Sequence, residues 1–266
     1  ALAGAIWWGQ GWAGRSPNYF PAGFVQSQIQ AKRMTDFRRI CPSMNMQACI
    51  DAPRTDRLRV AVMGNSHGGD GLSIIMPALG GEQVIFDSLP GCPPFPATSI
   101  LANDFQPRCV EFNRRRVSPE SLATFDVIVV SVWWGRYTPK HLREFLDAVN
   151  AAAPASKVVV FGNYVTLNTM CWEIIERLGT RDCLRPEFEA GRFLYEDELK
   201  KTVAEYGYLF VSKRDALCAP DGTGCQSVVG DIPFTWDQHH LSYEFAHMLG
   251  EKVKGTIRAY VYGRED

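Results

Sequence analysis

Val127-Ile128-Val129-Val130 decides the fold class: four consecutive β-branched residues with no alternation of polar and apolar positions. A strand with one wet face alternates, whereas an unbroken apolar run suits a strand of a parallel sheet covered by helices on both faces. Val158-Val159-Val160-Phe161 has the same character. Between the two runs, His141, Leu142, Phe145, Leu146 and Val149 recur at helical spacing after Pro139 and form one apolar face. Strand, amphipathic helix and strand in succession predict a three-layer α/β/α fold around a central parallel sheet.

The alternation continues outward. Strands are expected over 58–63, 83–87, 126–133, 157–162 and 208–212, and helices over 66–79, 110–116, 139–152 and 173–178. A further helix should end by Tyr206, and a last one should bury Leu241, Phe245, Met248 and Leu249. Residues 1–56 are irregular and rich in Gly and Pro, and are expected to form an N-terminal extension packing on a catalytic domain at 57–266.

Hydrophobic residues make up 46% of the chain, enough for a substantial core, and the formal net charge is −1. That balance offers no footprint for nucleic acid or an anionic membrane, which would call for clustered Lys and Arg. The run Arg114-Arg115-Arg116 reads as a solvated helix face. No apolar stretch reaches the roughly 20 residues needed to cross a bilayer. The opening Ala1-Leu2-Ala3-Gly4-Ala5-Ile6-Trp7-Trp8 is expected to be the cut end of something larger, with Trp7 and Trp8 at a membrane interface or packed on the domain.

Eight cysteines fall into sequence-close pairs, Cys41 with Cys49, Cys92 with Cys109, Cys171 with Cys183 and Cys218 with Cys225. They read as four disulfides, although eight cysteines allow about 105 connectivities. Zinc is the competing use, but no pair has Cys-x-x-Cys spacing and no histidine follows a pair closely, so no metal is expected. Disulfides imply an oxidising compartment, the periplasm or the cell exterior.

The first strand runs into Val60-Ala61-Val62-Met63-Gly64-Asn65-Ser66-His67-Gly68-Gly69-Asp70. A serine between a strand end and a helix start projects Oγ above the sheet and places free backbone N–H groups beside any oxyanion formed there. The same position also suits a serine that merely caps the helix. Far downstream, Asp237-Gln238-His239-His240-Leu241-Ser242 places a carboxylate three residues before a histidine. Asp237 can accept from Nδ1–H of His240 and leave Nε2 facing a serine, or it can cap the last helix; His239 is the weaker partner. Both features in one α/β chain make Ser66, His240 and Asp237 the candidate triad.

Gly64-Asn65-Ser66-His67-Gly68 also satisfies the Gly-x-Ser-x-Gly elbow of α/β-hydrolases. Those enzymes draw acid and histidine from separate loops and carry the serine after a middle strand, and neither holds here. A flavodoxin-like cofactor domain shares the fold class, but the first turn offers no Gly-x-Gly-x-x-Gly.

Gly64-Asn65-Ser66-His67 resembles the Gly-Asp-Ser-His block of SGNH (GDSL-type) esterases and acyltransferases, and Asp237 to Ser242 resembles their closing Asp-x-x-His block. More narrowly, the chain is similar to the periplasmic SGNH domains fused to membrane-bound acyltransferase-family-three proteins, which O-acetylate surface polysaccharides such as lipopolysaccharide O-antigen. The narrower likeness rests on His240-Leu241-Ser242, Gly91-Cys92-Pro93-Pro94, Cys218 to Cys225, and Gly11-Trp12-Ala13-Gly14-Arg15. It implies an SGNH-hydrolase fold and a serine-dependent O-acetyltransferase of the periplasm, tethered to the inner membrane. It also implies a membrane partner domain that delivers acetyl groups originating from acetyl-coenzyme A, with no cofactor bound to this domain. A carbohydrate O-acetyl esterase and a non-catalytic carbohydrate-binding module are the alternatives.

Two departures stand out. Asn65 replaces the usual aspartate, and Trp133-Trp134-Gly135 stands where the family carries an oxyanion-hole asparagine. Losing such a donor costs about 3 to 4 kcal/mol, so a substitute is expected. The backbone N–H groups of Ser66 and Gly91 are the first candidates and the Asn163 side chain is another, while Trp133 and Trp134 are expected either to pack in the core or to stack on a sugar.

Overall fold

In the computed structural model, residues 32, 34–100, 106–179 and 182–263 are described. The expectations on Trp7, Trp8 and Gly11 to Arg15 lie outside them. In chain order come helices α1 (Thr35–Ile40) and α2 (Met46–Ile50), strand β1 (Arg59–Gly64), α3 (Gly68–Leu79), β2 (Gln83–Ser88), α4 (Gln106–Arg116), α5 (Pro119–Leu122) and β3 (Val127–Ser131). These are followed by α6 (Pro139–Ala152), β4 (Lys157–Phe161), β5 (Val165–Leu167), α7 (Cys171–Leu178), β6 (Glu189–Arg192), α8 (Glu196–Glu205) and β7 (Leu209–Val211). The last elements are α9 (Lys213–Leu217), β8 (Val228–Val229), β9 (Ile232–Pro233) and α10 (Tyr243–Tyr262).

β2, β1, β3, β4 and β7 pair side by side, all parallel, in that order. Gly64 stands opposite both Ser88 and Ser131, so the carboxyl ends of the three leading strands share one edge. The β-branched runs are buried on both faces, as their composition requires. Val127 and Val129 face a core shared with α3 and α10, while Ile128 and Val130 face a second core shared with α6 and α8. Gly250 lets α10 lie close on α3, since a Cβ there would stand 2.4 Å from the Ile74 carbonyl oxygen.

All four neighbour pairs of cysteines are disulfide-bonded. α1 packs near β2 through Phe37 and Phe86, whose ring centroids are 5.3 Å apart, and Asp36 Oδ2 lies 2.8 Å from His247 Nε2 of α10. No helix among the described residues is long and apolar enough to cross a membrane.

Some expectations need correction. The helix after the serine starts at Gly68, because Asn65 to His67 form a turn, and β3 ends at Ser131, which leaves both tryptophans in a loop. The antiparallel pairs β5–β6 and β8–β9 have strands of two to four residues, too short for a periodic pattern.

Arg114-Arg115-Arg116 is not a uniformly solvated face. Arg116 is fully buried and its guanidinium donates to the carbonyls of Gly64 (3.1 Å), Asp87 (3.1 Å) and Cys92 (2.6 Å). Arg115 pairs with the buried Asp87 carboxylate at 2.8 Å. Carbonyls at strand ends run out of ladder partners, and a buried one must find a donor elsewhere.

Candidate active site

The serine turn begins where β1 leaves the sheet. A Cβ on Gly64 would stand 2.1 Å from the Ser131 carbonyl oxygen and 2.8 Å from the Gly68 nitrogen, so only glycine permits the chain to fold back here. Asn65 Oδ1 accepts from the His67 N–H at 3.0 Å, and the Asn65 carbonyl accepts from the Gly68 N–H at 3.0 Å. The first contact is an Asx turn, and asparagine fills the acceptor role as an aspartate would. Ser131 Oγ braces the turn by donating to the His67 carbonyl at 2.9 Å. Ser66 is left partly exposed at the carboxyl edge of the sheet, and the N-cap position of α3 belongs to His67.

The closing block forms a loop that ends before α10, whose N-cap is Ser242, so Asp237 does not cap that helix. Its Oδ1 accepts from the backbone N–H groups of His239 and His240, both at 2.8 Å, and its Oδ2 lies 2.6 Å from His240 Nδ1. Burial alone would raise the Asp237 carboxyl, but the hydrogen bond and charge of His240 and the two backbone donors outweigh it and hold the group well below the usual carboxylate range. The Asp237 bond turns His240 Nε2 away, and that atom is buried with no hydrogen-bond partner.

The two halves meet. The His67 ring stacks on the His240 ring with centroids 4.5 Å apart, and Asp70 Oδ2 in α3 accepts from the Leu241 N–H at 3.1 Å. Ser66 and His240 are thus carried by segments in direct contact over one edge of the sheet. His67 has its own carboxylate, Asp70 Oδ2 at 3.1 Å from Nδ1, while its Nε2 lies 2.9 Å from His239 Nδ1. Burial pushes the His67 imidazole down to about 3 against the pull of Asp70, so the ring is neutral. The Lys213 side chain is also buried, and burial lowers its ammonium group's pKa against the pull of the Asp70 and Glu196 carboxylates.

The oxyanion candidates lie on the same edge. Gly91 follows β2 in the turn Leu89 to Cys92, which Cys92 N–H closes onto the Leu89 carbonyl at 2.9 Å; its φ of 77° is the positive value that position demands. Asn163, just beyond β4, accepts through Oδ1 from the Trp134 N–H at 3.1 Å, which leaves its Nδ2 buried with no hydrogen-bond partner.

Trp134 is completely buried and donates Nε1–H to the Phe161 carbonyl at 2.9 Å, so it is core and offers no platform to a sugar. Trp133 is half-buried and stacks on His239 with centroids 5.3 Å apart. Sequence reasoning missed Asp70 and Arg116. The spacing His67-x-x-Asp70 mirrors Asp237-x-x-His240 and was the available signal for the first; the second has no local signal.

A parallel sheet with a serine turn after its first strand and an Asp-x-x-His loop before its last helix defines an SGNH-hydrolase-like α/β fold. The chain belongs to the family of SGNH domains fused to AT3 domains, whose model matches residues 32–255. Among solved structures it is similar to the periplasmic domain of a lipopolysaccharide acetyltransferase from Salmonella ser. Paratyphi A, at 18% identity and a TM-score of 0.67, covering 88% of this chain and 96% of that one. It is also similar to Est24, a carbohydrate acetylesterase from Sinorhizobium meliloti, at 13% identity and a TM-score of 0.44, covering 76% and 99%. No curated protein sequence matches the chain.

Proposed function

We propose that this domain is a serine-dependent O-acyltransferase that moves an acetyl group to a hydroxyl of a cell-surface polysaccharide such as lipopolysaccharide O-antigen. The observation that carries the proposal is the Asp237–His240 couple, whose imidazole stacks on His67 of the turn bearing Ser66 and whose Nε2 is buried without a hydrogen-bond partner. Ser66 Oγ attacks the carbonyl carbon of the acyl donor while His240 Nε2 takes its proton, and Asp237 stabilises the imidazolium. The backbone N–H groups of Ser66 and Gly91 and the amide of Asn163 hold the oxyanion until the donor's leaving group departs with the proton from His240. The acceptor hydroxyl then gives its proton to His240 and attacks the acyl-enzyme carbonyl, and as the bond to Ser66 Oγ breaks His240 returns the proton to that oxygen, restoring the free serine and neutral imidazole.

Membership of a family fused to AT3 domains supports a membrane partner domain that supplies the acetyl groups, ultimately from acetyl-coenzyme A, to a periplasmic domain tethered at the inner membrane. The name of the Salmonella neighbour supports a polysaccharide acceptor, and the four disulfides support an oxidising compartment.

The test is incubation with an activated acetyl ester and a candidate polysaccharide, reading sugar-bound acetate by mass spectrometry with Ser66→Ala alongside. Acetate on the sugar that disappears in Ser66→Ala supports transfer, and release of free acetate with an unmodified sugar indicates an esterase. Acetylation unchanged in Ser66→Ala, or no labelling of Ser66 by a fluorophosphonate, defeats the triad.

A further inference from the structure

Three of the five histidines gather at one point, while the other two are held elsewhere, His141 by Thr138 and His247 by Asp36. One ring nitrogen from each of His67, His239 and His240 lies within 4.8 Å of the others. We propose that these three imidazoles bind one divalent transition-metal ion of the Zn2+ class, and that occupancy switches the serine site off.

The donor set fits such an ion in three respects. His67 and His240 each turn Nδ1 to a carboxylate, Asp70 at 3.1 Å and Asp237 at 2.6 Å, which leaves Nε2 as the outward nitrogen. A carboxylate behind an imidazole is the usual support of a histidine ligand, because it sets the ring and raises its basicity. Two such carboxylates also balance the charge of a dication. His240 is 7% exposed, and its buried Nε2 is a lone pair with no protein donor. Imidazole nitrogen suits Zn2+, Co2+, Ni2+ and Cu2+, whereas Mg2+ and Ca2+ require oxygen. All eight cysteines are in disulfides, so no thiolate competes.

Zinc–nitrogen bonds of about 2.0 to 2.1 Å in a tetrahedron put the nitrogens about 3.4 Å apart, so one ring must move by about an ångström. His239 is the half-buried ring of the three and sits on a loop, where a side-chain rotation supplies that shift. Its Nδ1 now shares a proton with His67 Nε2 across 2.9 Å. Coordination through Nδ1 moves that proton to His239 Nε2, with none gained or lost.

The switching-off rests on the reading of His240 as base; the binding does not. The experiment titrates the tag-free, chelator-stripped domain with Zn2+ by calorimetry and with Co2+ by visible absorption, and follows p-nitrophenyl acetate hydrolysis over the same range. One ion per chain is expected, with affinity lowered about tenfold or more in His239→Gln and in His67→Gln, and with no Mg2+ binding. Hydrolysis should fall along the Zn2+ binding curve and return with EDTA. Absence of saturable 1:1 binding, or unchanged affinity in both variants while their thermal melts match the wild type, overturns the site. Binding at 1:1 with hydrolysis undiminished upholds the site and defeats His240 as base.

Discussion

Asn163→Ala separates the oxyanion role from a structural one, because the two effects on stability oppose each other while the effect on rate does not. Oδ1 of Asn163 accepts from the Trp134 N–H, and Nδ2 is a buried donor without a partner. Truncation removes the orphan donor, a gain of about 1 to 3 kcal/mol, and leaves the Trp134 N–H without an acceptor, a loss of the same size. The free energy of unfolding should therefore move by about 1 kcal/mol or less. The rate has no such cancellation. Loss of one preorganised donor at a developing oxyanion costs about 3 to 4 kcal/mol, or about 10² to 10³ in kcat, with KM little changed. Asn163 follows β4, two strands from β1 at about 4.8 Å each, and its hydrogen bond to the loop after β3 ties it to the strand between them. The assay is the acylation phase of p-nitrophenyl acetate turnover, paired with urea unfolding. Asn163→Asp should lose at least as much at neutral pH, since it keeps an acceptor for Trp134 but sets a carboxylate beside the oxyanion. Acylation within threefold of wild type in Asn163→Ala, at unchanged stability, refutes the assignment.

Asp237→Asn presents an NH2 group to His240 Nδ1 and fixes the tautomer that carries its proton on Nε2; kcat should fall about 10⁴-fold, and a loss below tenfold counts against the couple. Arg116→Met leaves the buried carbonyls of Gly64, Asp87 and Cys92 without their donor and should cost about 3 to 5 kcal/mol in urea unfolding. A cost under about 1 kcal/mol would mean that water replaces the guanidinium. Because the Asp237 carboxyl is depressed in the folded state, its contribution to stability is whole above the unfolded value near 3.9 and is lost as the pH falls through the lower folded value. Urea midpoints from pH 6 downward should therefore drop more steeply for wild type than for Asp237→Asn, and parallel curves would contradict the depression.

The sheet was legible because Val127 to Val130 and Val158 to Phe161 are long enough to lack alternation, and burial on both faces is the one environment that tolerates this. The Asp237–His240 couple was legible because a three-residue spacing is a local constraint that holds in a loop as in a helix. The role of Arg116 was not, and neither was the bond that anchors Asn163, because each depends on a partner brought by the fold. The carbonyl that Arg116 reaches in β1 is 52 positions away, and the N–H that Asn163 accepts from lies 29 positions back. A run of three arginines looks solvated until strand ends with unpaired carbonyls are placed beneath it. β8 and β9, with two residues each, offer no period to detect.

The distance along the chain between the two halves of the site raises an energetic question that the packing answers. Leu241 reaches Asp70 across 171 positions, and closing a loop of that length costs about 4.5 kcal/mol beyond a constant. One hydrogen bond contributes about 1 kcal/mol and cannot offset this. The helices carrying the two halves can. Phe245, Leu249, Val253 and Ile257 of α10 are buried in the core that α3 shares, at about 1.5 to 3 kcal/mol each, or about 6 to 12 kcal/mol together. The serine turn begins α3 and the histidine loop ends at α10, so that contact brings the two segments together, His67 on His240 and Asp70 on Leu241. Asp70 then refines the position, because the same carboxylate oxygen meets His67 and the Leu241 N–H. A substitution that loosens α3 from α10, such as Gly250→Val against the Ile74 carbonyl, is therefore expected to depress acylation before it unfolds the sheet, since the register of the two halves depends on that contact and the strands do not.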